Sequence, residues 1–269
     1  MVKKETAGTN YQQSRLKRKK LLTALLAVFS LVFAFSAYKV VTILSNYNES
    51  ESEYTDIKEQ TVTEVDRSDI PDEISGHTSK FRQVDHLTLR KQNSDYCGWL
   101  HIPNNDKVSY PVMRANDNDY YLHRTFEKKY LFAGSLFMDY RNKGDFSSPV
   151  TIIYGHSMTN RTMFGSLRYW KNKSYFTDHP VVHLYKDGKL YIYKIFAFLD
   201  TVSYSKAYTF NFSDEQAVQN YIDMLRSNSM YDTGVKPTSD QKIICLSTCN
   251  GDGSKRWFLA AALTSEIEL

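Results

Sequence analysis

The chain has 269 residues, of which 42% are hydrophobic and 24% are charged, so it is long enough for one sizeable domain with appended segments. This composition is ordinary for a globular protein. The net charge of +4 is too small to indicate nucleic-acid binding by itself, and much of the positive charge is local, in residues 15–20.

A basic cluster followed by an uncharged apolar run is the first feature of the chain. Residues 21–38 contain no charge, and as a helix they would extend about 27 Å, close to the hydrocarbon thickness of roughly 30 Å. The apolar character continues to residue 44. We therefore expect a single-pass signal-anchor over residues 21–44 in the cell membrane, with residues 1–20 cytoplasmic and the remainder outside. A cleaved signal peptide is the alternative, because Ala34 and Ser36 could serve a peptidase.

Residues 45–78 are polar and acidic, which predicts a stalk, and residues 79–269 should form the folded domain. Apolar spacing predicts a helix over residues 79–92. Alternating or apolar runs then predict eight strands: 96–102, 108–113, 131–138, 149–154, 181–185, 190–200, 242–249 and 256–264. So many strands with few long helices indicate a mainly β protein built on a closed or nearly closed barrel.

Two helical inserts interrupt the strand pattern. Residues 162–170 predict a short helix. Residues 213–226 predict a longer one in the connection before the last two strands, with Ser213 and Gln216 as a capping box. The Asp187-Gly188 pair is typical of a tight hairpin.

The three cysteines cannot all pair within the chain, because their number is odd. Cys245 and Cys249 would lie about 13 Å apart in one strand, beyond disulfide reach. We interpret Cys97 and Cys245 as small packed residues. Cys249 ends an apolar strand directly before the turn Asn250-Gly251-Asp252-Gly253, and this position favours a nucleophile.

A cysteine nucleophile needs a base and a charge stabiliser. His156 follows an apolar strand and a glycine, which would place it at a barrel rim, and it is the candidate base. Arg256 opens the strand after the turn and is the candidate stabiliser, with Lys255 as a weaker competitor. The sequence has no Cys-x-x-Cys pair, no His/Cys cluster with metal-ligand spacing and no Gly-rich phosphate loop, so we expect no metal and no cofactor.

Several segments resemble motifs of the sortases, class B in particular. Leu246-Ser247-Thr248-Cys249 resembles the active-site motif Thr-Leu-x-Thr-Cys, with Cys245 where threonine is usual, and Tyr154-Gly155-His156 resembles the histidine motif. Further signatures follow in the expected order: Gly98-Trp99-Leu100-His101-Ile102-Pro103, Tyr110-Pro111-Val112-Met113, Asp117-Asn118-Asp119-Tyr120-Tyr121-Leu122 and Gly134-Ser135-Leu136-Phe137-Met138-Asp139.

The resemblance implies an eight-stranded sortase barrel outside a Gram-positive membrane and a transpeptidase that needs no calcium. Cys249 would cleave a C-terminal sorting signal, similar to Asn-Pro-x-Thr-(Asn/Gly), after its threonine. An amine of a cell-wall precursor would then resolve the thioacyl-enzyme. His156 would exchange protons and Arg256 would hold the signal backbone or the oxyanion. The resemblance also assigns residues to the signal groove: Asn118, Leu122, Tyr154, Ser247 and Asn250.

Other functions remain open at this point. A pilus-polymerising sortase would use a pilin lysine instead of a wall precursor. A cysteine hydrolase would give hydrolytic products only, and an L,D-transpeptidase usually carries a Ser-x-Gly-Cys-x-Arg core that this sequence lacks. A non-catalytic module that binds peptide or cell wall would show ordinary thiol reactivity at Cys249.

Overall fold

A computed structural model of the chain describes residues 5–105, 107–249 and 253–269. The chain divides into two compact units between Glu49 and Ser50. The helices, in chain order, are α1 Glu5–Thr61, α2 Asp72–Ser75, α3 His86–Gln92, α4 Lys173–Asp178 and α5 Glu215–Ser227, with two 3₁₀ segments, Gly165–Lys171 and Lys206–Tyr208.

The strands are named in chain order as well. They are β1 Val62–Asp66, β2 Lys80–Val84, β3 Tyr96–His101, β4 Ser109–Met113, β5 Leu136–Met138, β6 Val150–Tyr154, β7 Val181–Lys186, β8 Lys189–Thr201, β9 Ile243–Cys249 and β10 Arg256–Glu268.

Within the described residues, eight of these strands close into a barrel in the order β10-β8-β7-β3-β4-β5-β6-β9. The pairs β4–β5 and β6–β9 are parallel, and the other neighbours are antiparallel. The predicted barrel is confirmed. Closure leaves no strand edge in the barrel unpaired, which is how an eight-stranded wall avoids exposed backbone donors and acceptors.

The first unit consists of the N-terminal part of α1. By length and composition, α1 is the one described helix that is apolar enough to cross a membrane.

The segment expected to be a stalk contributes to the second unit. Tyr54, Ile57 and Ile70 are buried, and β1 pairs with β2 in a two-stranded sheet. The helix predicted over residues 79–92 is therefore wrong in its first half, which is β2. Asp85 accepts a hydrogen bond from the backbone N–H of Thr88 and so caps α3, which can begin only after it.

Three other predictions change in detail. The strand predicted over 131–138 shortens to β5, because the backbone N–H of Gly134 bonds the carbonyl of Leu131 in a turn with positive φ. The insert predicted over 162–170 is the 3₁₀ segment Gly165–Lys171 followed by α4. The cap of α5 is Asp214, whose carboxylate accepts from the Ala217 N–H at 2.8 Å, and not Ser213.

Helix α5 covers one outer face of the barrel. Its predicted apolar residues Val218, Tyr221, Ile222 and Leu225 are buried against residues of β6, β8, β9 and β10. Burying such a face removes apolar surface from water at about 25 cal/mol per Å², and this dominates the docking of the helix. The predicted hairpin at Asp187-Gly188 joins β7 to β8, with both turn residues at positive φ.

Candidate active site

Strand register brings the predicted chemical groups to one end of the barrel. Tyr154 of β6 lies beside Ser247 of the parallel strand β9, and Cys249 lies opposite Arg256 of β10. His156 follows Tyr154 by two residues, just as Cys249 follows Ser247. His156, Cys249 and Arg256 therefore lie at the same end of three neighbouring strands, and paired strands in a sheet run about 4.8 Å apart.

These three residues line a cleft of about 500 Å³. Four of the five predicted groove residues, Asn118, Leu122, Tyr154 and Ser247, line the same cleft. The fifth, Asn250, lies outside the described residues. The remaining lining residues are Phe137, Arg141, Gly155, Ser203, Tyr204, Ser205, Tyr208 and Thr248.

The environment of each cysteine differs. All three thiols are free. Cys245 is fully buried beneath Tyr221 of α5, and burial raises the pKa of its thiol to about 12. Cys97 lies outside the cleft, and burial raises the pKa of its thiol to about 11. Side chains two residues apart share one face of a strand, so Cys249 continues the Cys245 face into the cleft, where it is only half-buried.

The ring of His156 is held by a backbone carbonyl. Its Nε2 lies 2.8 Å from the oxygen of Leu122. Because a carbonyl oxygen only accepts, Nε2 must carry the hydrogen, and Nδ1 is left as the atom that can gain or lose a proton. Phe132 stacks on the imidazole with ring centroids 5.0 Å apart. Burial lowers the pKa of His156, and the Leu122 carbonyl only partly opposes this effect.

Arg256 is half-buried at the start of β10. Its Nη1 donates to the carbonyls of Gly253 at 2.7 Å and Lys255 at 3.0 Å, which fixes the guanidinium against the backbone directly before β10. Lys255, the competing cation, is exposed, and its Nζ lies 3.3 Å from the Asp200 carboxylate. Arg256 lines the cleft and Lys255 is not among the lining residues.

Two groups at the cleft were not assigned a role from the sequence. The carboxylate of Asp139 is fully buried and accepts from Asn118 Nδ2, the Tyr154 hydroxyl and the Arg141 guanidinium at 2.7–2.9 Å. Burial alone would raise the pKa of Asp139, but these donors outweigh burial and lower it. Asp139 ends one of the segments that resemble sortase motifs, which is the one signal that could have identified it.

The second group is aromatic. Tyr208 pairs its hydroxyl with Ser247 Oγ at 2.7 Å and stacks against Tyr154, while Tyr204 is largely exposed at the cleft edge. Both residues lie in the connection between β8 and α5, where no periodicity marks them. Together with Tyr154 and Phe137 they give the cleft an aromatic wall suited to an extended peptide.

A closed barrel with a cysteine, a histidine and an arginine at adjoining strand ends is an arrangement suited to cysteine acyl transfer. The Sortase domain family matches residues 100–264. Sortase B of Listeria monocytogenes is 30% identical over 81% of this chain and 85% of its own length. The solved sortase B of B. anthracis superposes with a TM-score of 0.70 at 26% identity, covering 83% of this chain and all of that one. A Staphylococcus aureus sortase B–substrate complex gives 0.63 at 27% identity over 66% and 84%. The chain belongs to the sortase family of cysteine transpeptidases, and its relatives place it in class B.

Proposed function

We propose that this transpeptidase is membrane-anchored and attaches proteins bearing a C-terminal sorting signal to an amine of a cell-wall precursor. The supporting observation is the register that brings Cys249, His156 and Arg256 into one cleft. Solved sortase B structures have been obtained with a substrate and with triglycine, which supports a peptide signal and an amine acceptor.

The first half-reaction forms a thioester. Nδ1 of His156 takes the proton of the Cys249 thiol, and the thiolate attacks the carbonyl carbon of the signal threonine. Arg256 faces the negative charge that develops on the carbonyl oxygen, and loss of one such donor typically costs about 10²–10³ in rate. As the C–N bond breaks, Nδ1 returns its proton to the leaving nitrogen.

The second half-reaction reverses these roles. Nδ1 takes a proton from the incoming amine, whose nitrogen attacks the thioester carbon. The C–S bond then breaks, and Nδ1 gives this proton to the departing sulfur, which regenerates the Cys249 thiol and the neutral imidazole. Because burial lowers the pKa of His156, its imidazole stays neutral at a lower pH than an exposed imidazole would. A neutral imidazole can accept the proton of the incoming amine.

The groove should bind the signal through Asn118, Leu122, Tyr154, Ser247 and Asn250. The donors and acceptors of Asn118 are oriented by Asp139 and the Tyr140 backbone N–H. A signal of the type Asn-Pro-x-Thr-(Asn/Gly) has an extended backbone, because proline disfavours a helical conformation of the residue before it. No metal ligand set of three His, Cys, Asp or Glu occurs among the described residues.

The apolar stretch of α1 is proposed as the anchor, with the basic residues before it on the cytoplasmic side. Protease treatment of intact cells should degrade the catalytic domain and spare an epitope placed before residue 15. Protection of the catalytic domain would reject this orientation.

The chemistry is tested with the full chain in detergent, a peptide containing Asn-Pro-Gln-Thr-Gly, and triglycine. We expect a mass increase on the protein equal to the acylated signal fragment, and a triglycine-linked product. Cys249→Ala should abolish both, whereas the matched variant Cys97→Ala should retain them. Full cleavage by Cys249→Ala would reject the nucleophile, and purely hydrolytic products at saturating triglycine would favour a hydrolase. A lysine amine that replaces triglycine more efficiently would favour pilus polymerisation.

A further inference from the structure

One loop encloses the ring of His156 on two sides. The loop comprises residues 122–135: the carbonyl of Leu122 at its start accepts from Nε2, and the ring of Phe132 stacks on the imidazole. The second residue of the loop, His123, lies 5.8 Å from His156 between ring centroids. The orientation of His156 therefore depends on where this loop is held.

The loop is held by the last turns of α1, which belong to the same compact unit as the barrel. The buried Tyr54 hydroxyl donates to the carbonyl of Gly134 at 2.7 Å and lies 3.0 Å from Ser135 Oγ. Ser135 Oγ in turn donates to the carbonyl of Arg124 at 2.8 Å. A second contact comes from the neighbouring Glu53, whose buried carboxylate accepts from the backbone N–H of Glu127 at 3.0 Å.

The two ends of the loop are packed too closely to move independently. Gly134 has φ +56°, and a Cβ placed on it would lie 2.4 Å from the carbonyl oxygen of Leu122. The Gly134 peptide, which Tyr54 holds through its carbonyl, thus lies directly against the carbonyl that orients His156. A shift of one therefore displaces the other, because close-packed groups transmit displacement.

A second route connects Tyr54 to the chain segment that follows His156. The Tyr54 ring packs edge-on against Tyr110 at 5.2 Å, and the Tyr110 hydroxyl accepts from the Met163 N–H at 3.4 Å. Met163 forms a β-bridge with Ser157, the residue after His156. The hydroxyl of Tyr54 thus contacts the loop around the imidazole, and its ring packs on the route to the segment that follows His156.

We propose that Tyr54 is a positioning residue for His156, acting through the 122–135 loop and not by contact with substrate. This inference rests on the proposed transpeptidase function. Loss of the Tyr54 hydroxyl frees Gly134 and Ser135, so the Leu122 carbonyl and Phe132 hold the imidazole less firmly. A small misplacement of a catalytic group is enough to slow proton transfer, while the peptide groove beside Asn118 and Tyr154 keeps its contacts.

The test compares Tyr54→Phe with Tyr231→Phe in the full chain. Tyr231 is a matched control, because its hydroxyl also donates to a backbone carbonyl, that of Trp170 at 2.7 Å, and it has no described hydrogen bond to the 122–135 loop. We expect Tyr54→Phe to lower kcat for triglycine transfer by roughly tenfold, as loss of one or two net hydrogen bonds would predict, with KM for the signal peptide within about twofold. Tyr231→Phe should leave both constants near those of the parent chain.

A second readout is the titration of the His156 ring, followed by NMR of labelled imidazole. Burial is the larger cause of the lowered pKa, so loosening the loop should move the titration of His156 to higher pH in Tyr54→Phe only. If Tyr54→Phe folds poorly by tryptophan fluorescence, Ser135→Ala removes the hydroxyl that lies beside that of Tyr54 and donates to the Arg124 carbonyl, and it should shift the titration of His156 in the same direction.

An unchanged kcat and an unchanged titration of His156 in both Tyr54→Phe and Ser135→Ala would overturn the role of Tyr54 while leaving the transpeptidase proposal intact. If kcat fell as much in Tyr231→Phe as in Tyr54→Phe, the loss would reflect general destabilisation, and the positioning role of Tyr54 would be overturned as well. Activity retained by Cys249→Ala would instead reject the proposed function itself.

Discussion

Replacing Asp139 by asparagine should weaken both the fold and the groove. Oδ2 of Asp139 accepts from Asn118, Arg141 and Tyr154, and Oδ1 accepts from the backbone and Nε of Arg141. An asparagine side chain keeps only one of these oxygens. At least two hydrogen bonds are lost, and the Arg141 guanidinium loses its buried counter-charge.

The magnitude follows from the burial of each partner. Breaking a buried ion pair typically costs about 3–5 kcal/mol. The Arg141 side chain is 44% exposed and can regain water, so we expect about 2–3 kcal/mol for Asp139→Asn. For a folded unit of this size, that loss corresponds to a Tm decrease of about 5–10 °C.

The assay is thermal unfolding of the full chain in detergent, followed by the fluorescence of Trp99, Trp170 and Trp257, all of which lie in the barrel unit. The matched control is Asp145→Asn in the same connection, because Asp145 is exposed and accepts from the Ser147 N–H. The control should shift Tm by less than about 2 °C. Equal Tm values for the two variants would refute the network. KM for the signal peptide should rise in Asp139→Asn alone, because Asn118 and Tyr154 lose their shared acceptor.

Two further variants address backbone geometry and acid stability. Gly134→Ala and Gly188→Ala both put a side chain at positive φ, which costs about 1 kcal/mol, but only at Gly134 would the new Cβ strike the Leu122 carbonyl. Transfer of the signal peptide to triglycine should therefore fall at least tenfold in Gly134→Ala and stay near normal in Gly188→Ala. Similar losses of activity in the two variants would contradict the steric argument. Full burial of His183 lowers the pKa of its imidazole to about 3. The unfolded chain therefore binds an extra proton between about pH 6.5 and 3, and stability from this residue decreases as pH falls through that range. His183→Gln should flatten the dependence of the unfolding free energy on pH by about 1.4 kcal/mol per unit between pH 6 and 4 in urea titrations, and an unchanged slope would contradict the assignment.

The barrel and the cysteine strand could be predicted because their signals are local. A run such as residues 243–249 is apolar over most of its length, and a turn rich in Asn and Gly places Arg256 opposite Cys249 through spacing alone. The position of His156 followed from a strand end and a glycine. The structure gives a steric reason for glycine at position 155, because a Cβ there would lie 2.4 Å from the Leu136 side chain.

The details that the sequence did not predict depend on contacts between distant residues or on the local backbone conformation. Residues 50–78 are polar on average, yet a few apolar side chains, among them Tyr54 and Ile57, are enough to pack the segment on the barrel unit. Ser213 and Asp214 are both good helix caps, and only the backbone conformation decides that Asp214 takes the position. Composition averages and capping preferences contain no information about such choices.

Two kinds of structure therefore set the geometry of the cleft. The hydrogen-bond register of β9 and β10 fixes Cys249 opposite Arg256. A one-residue slip between these strands would place the two side chains on opposite faces. It would also move the buried residues of one strand out of the core, and the core therefore excludes it. His156 lies beyond the end of β6, and its ring is oriented by Leu122 and Phe132 from a loop outside the barrel wall. Substitutions in the barrel wall should therefore lower the free energy of unfolding more than they lower the reaction rate. Substitutions in the 122–135 loop and at Tyr54 should instead slow proton transfer while the barrel stays folded.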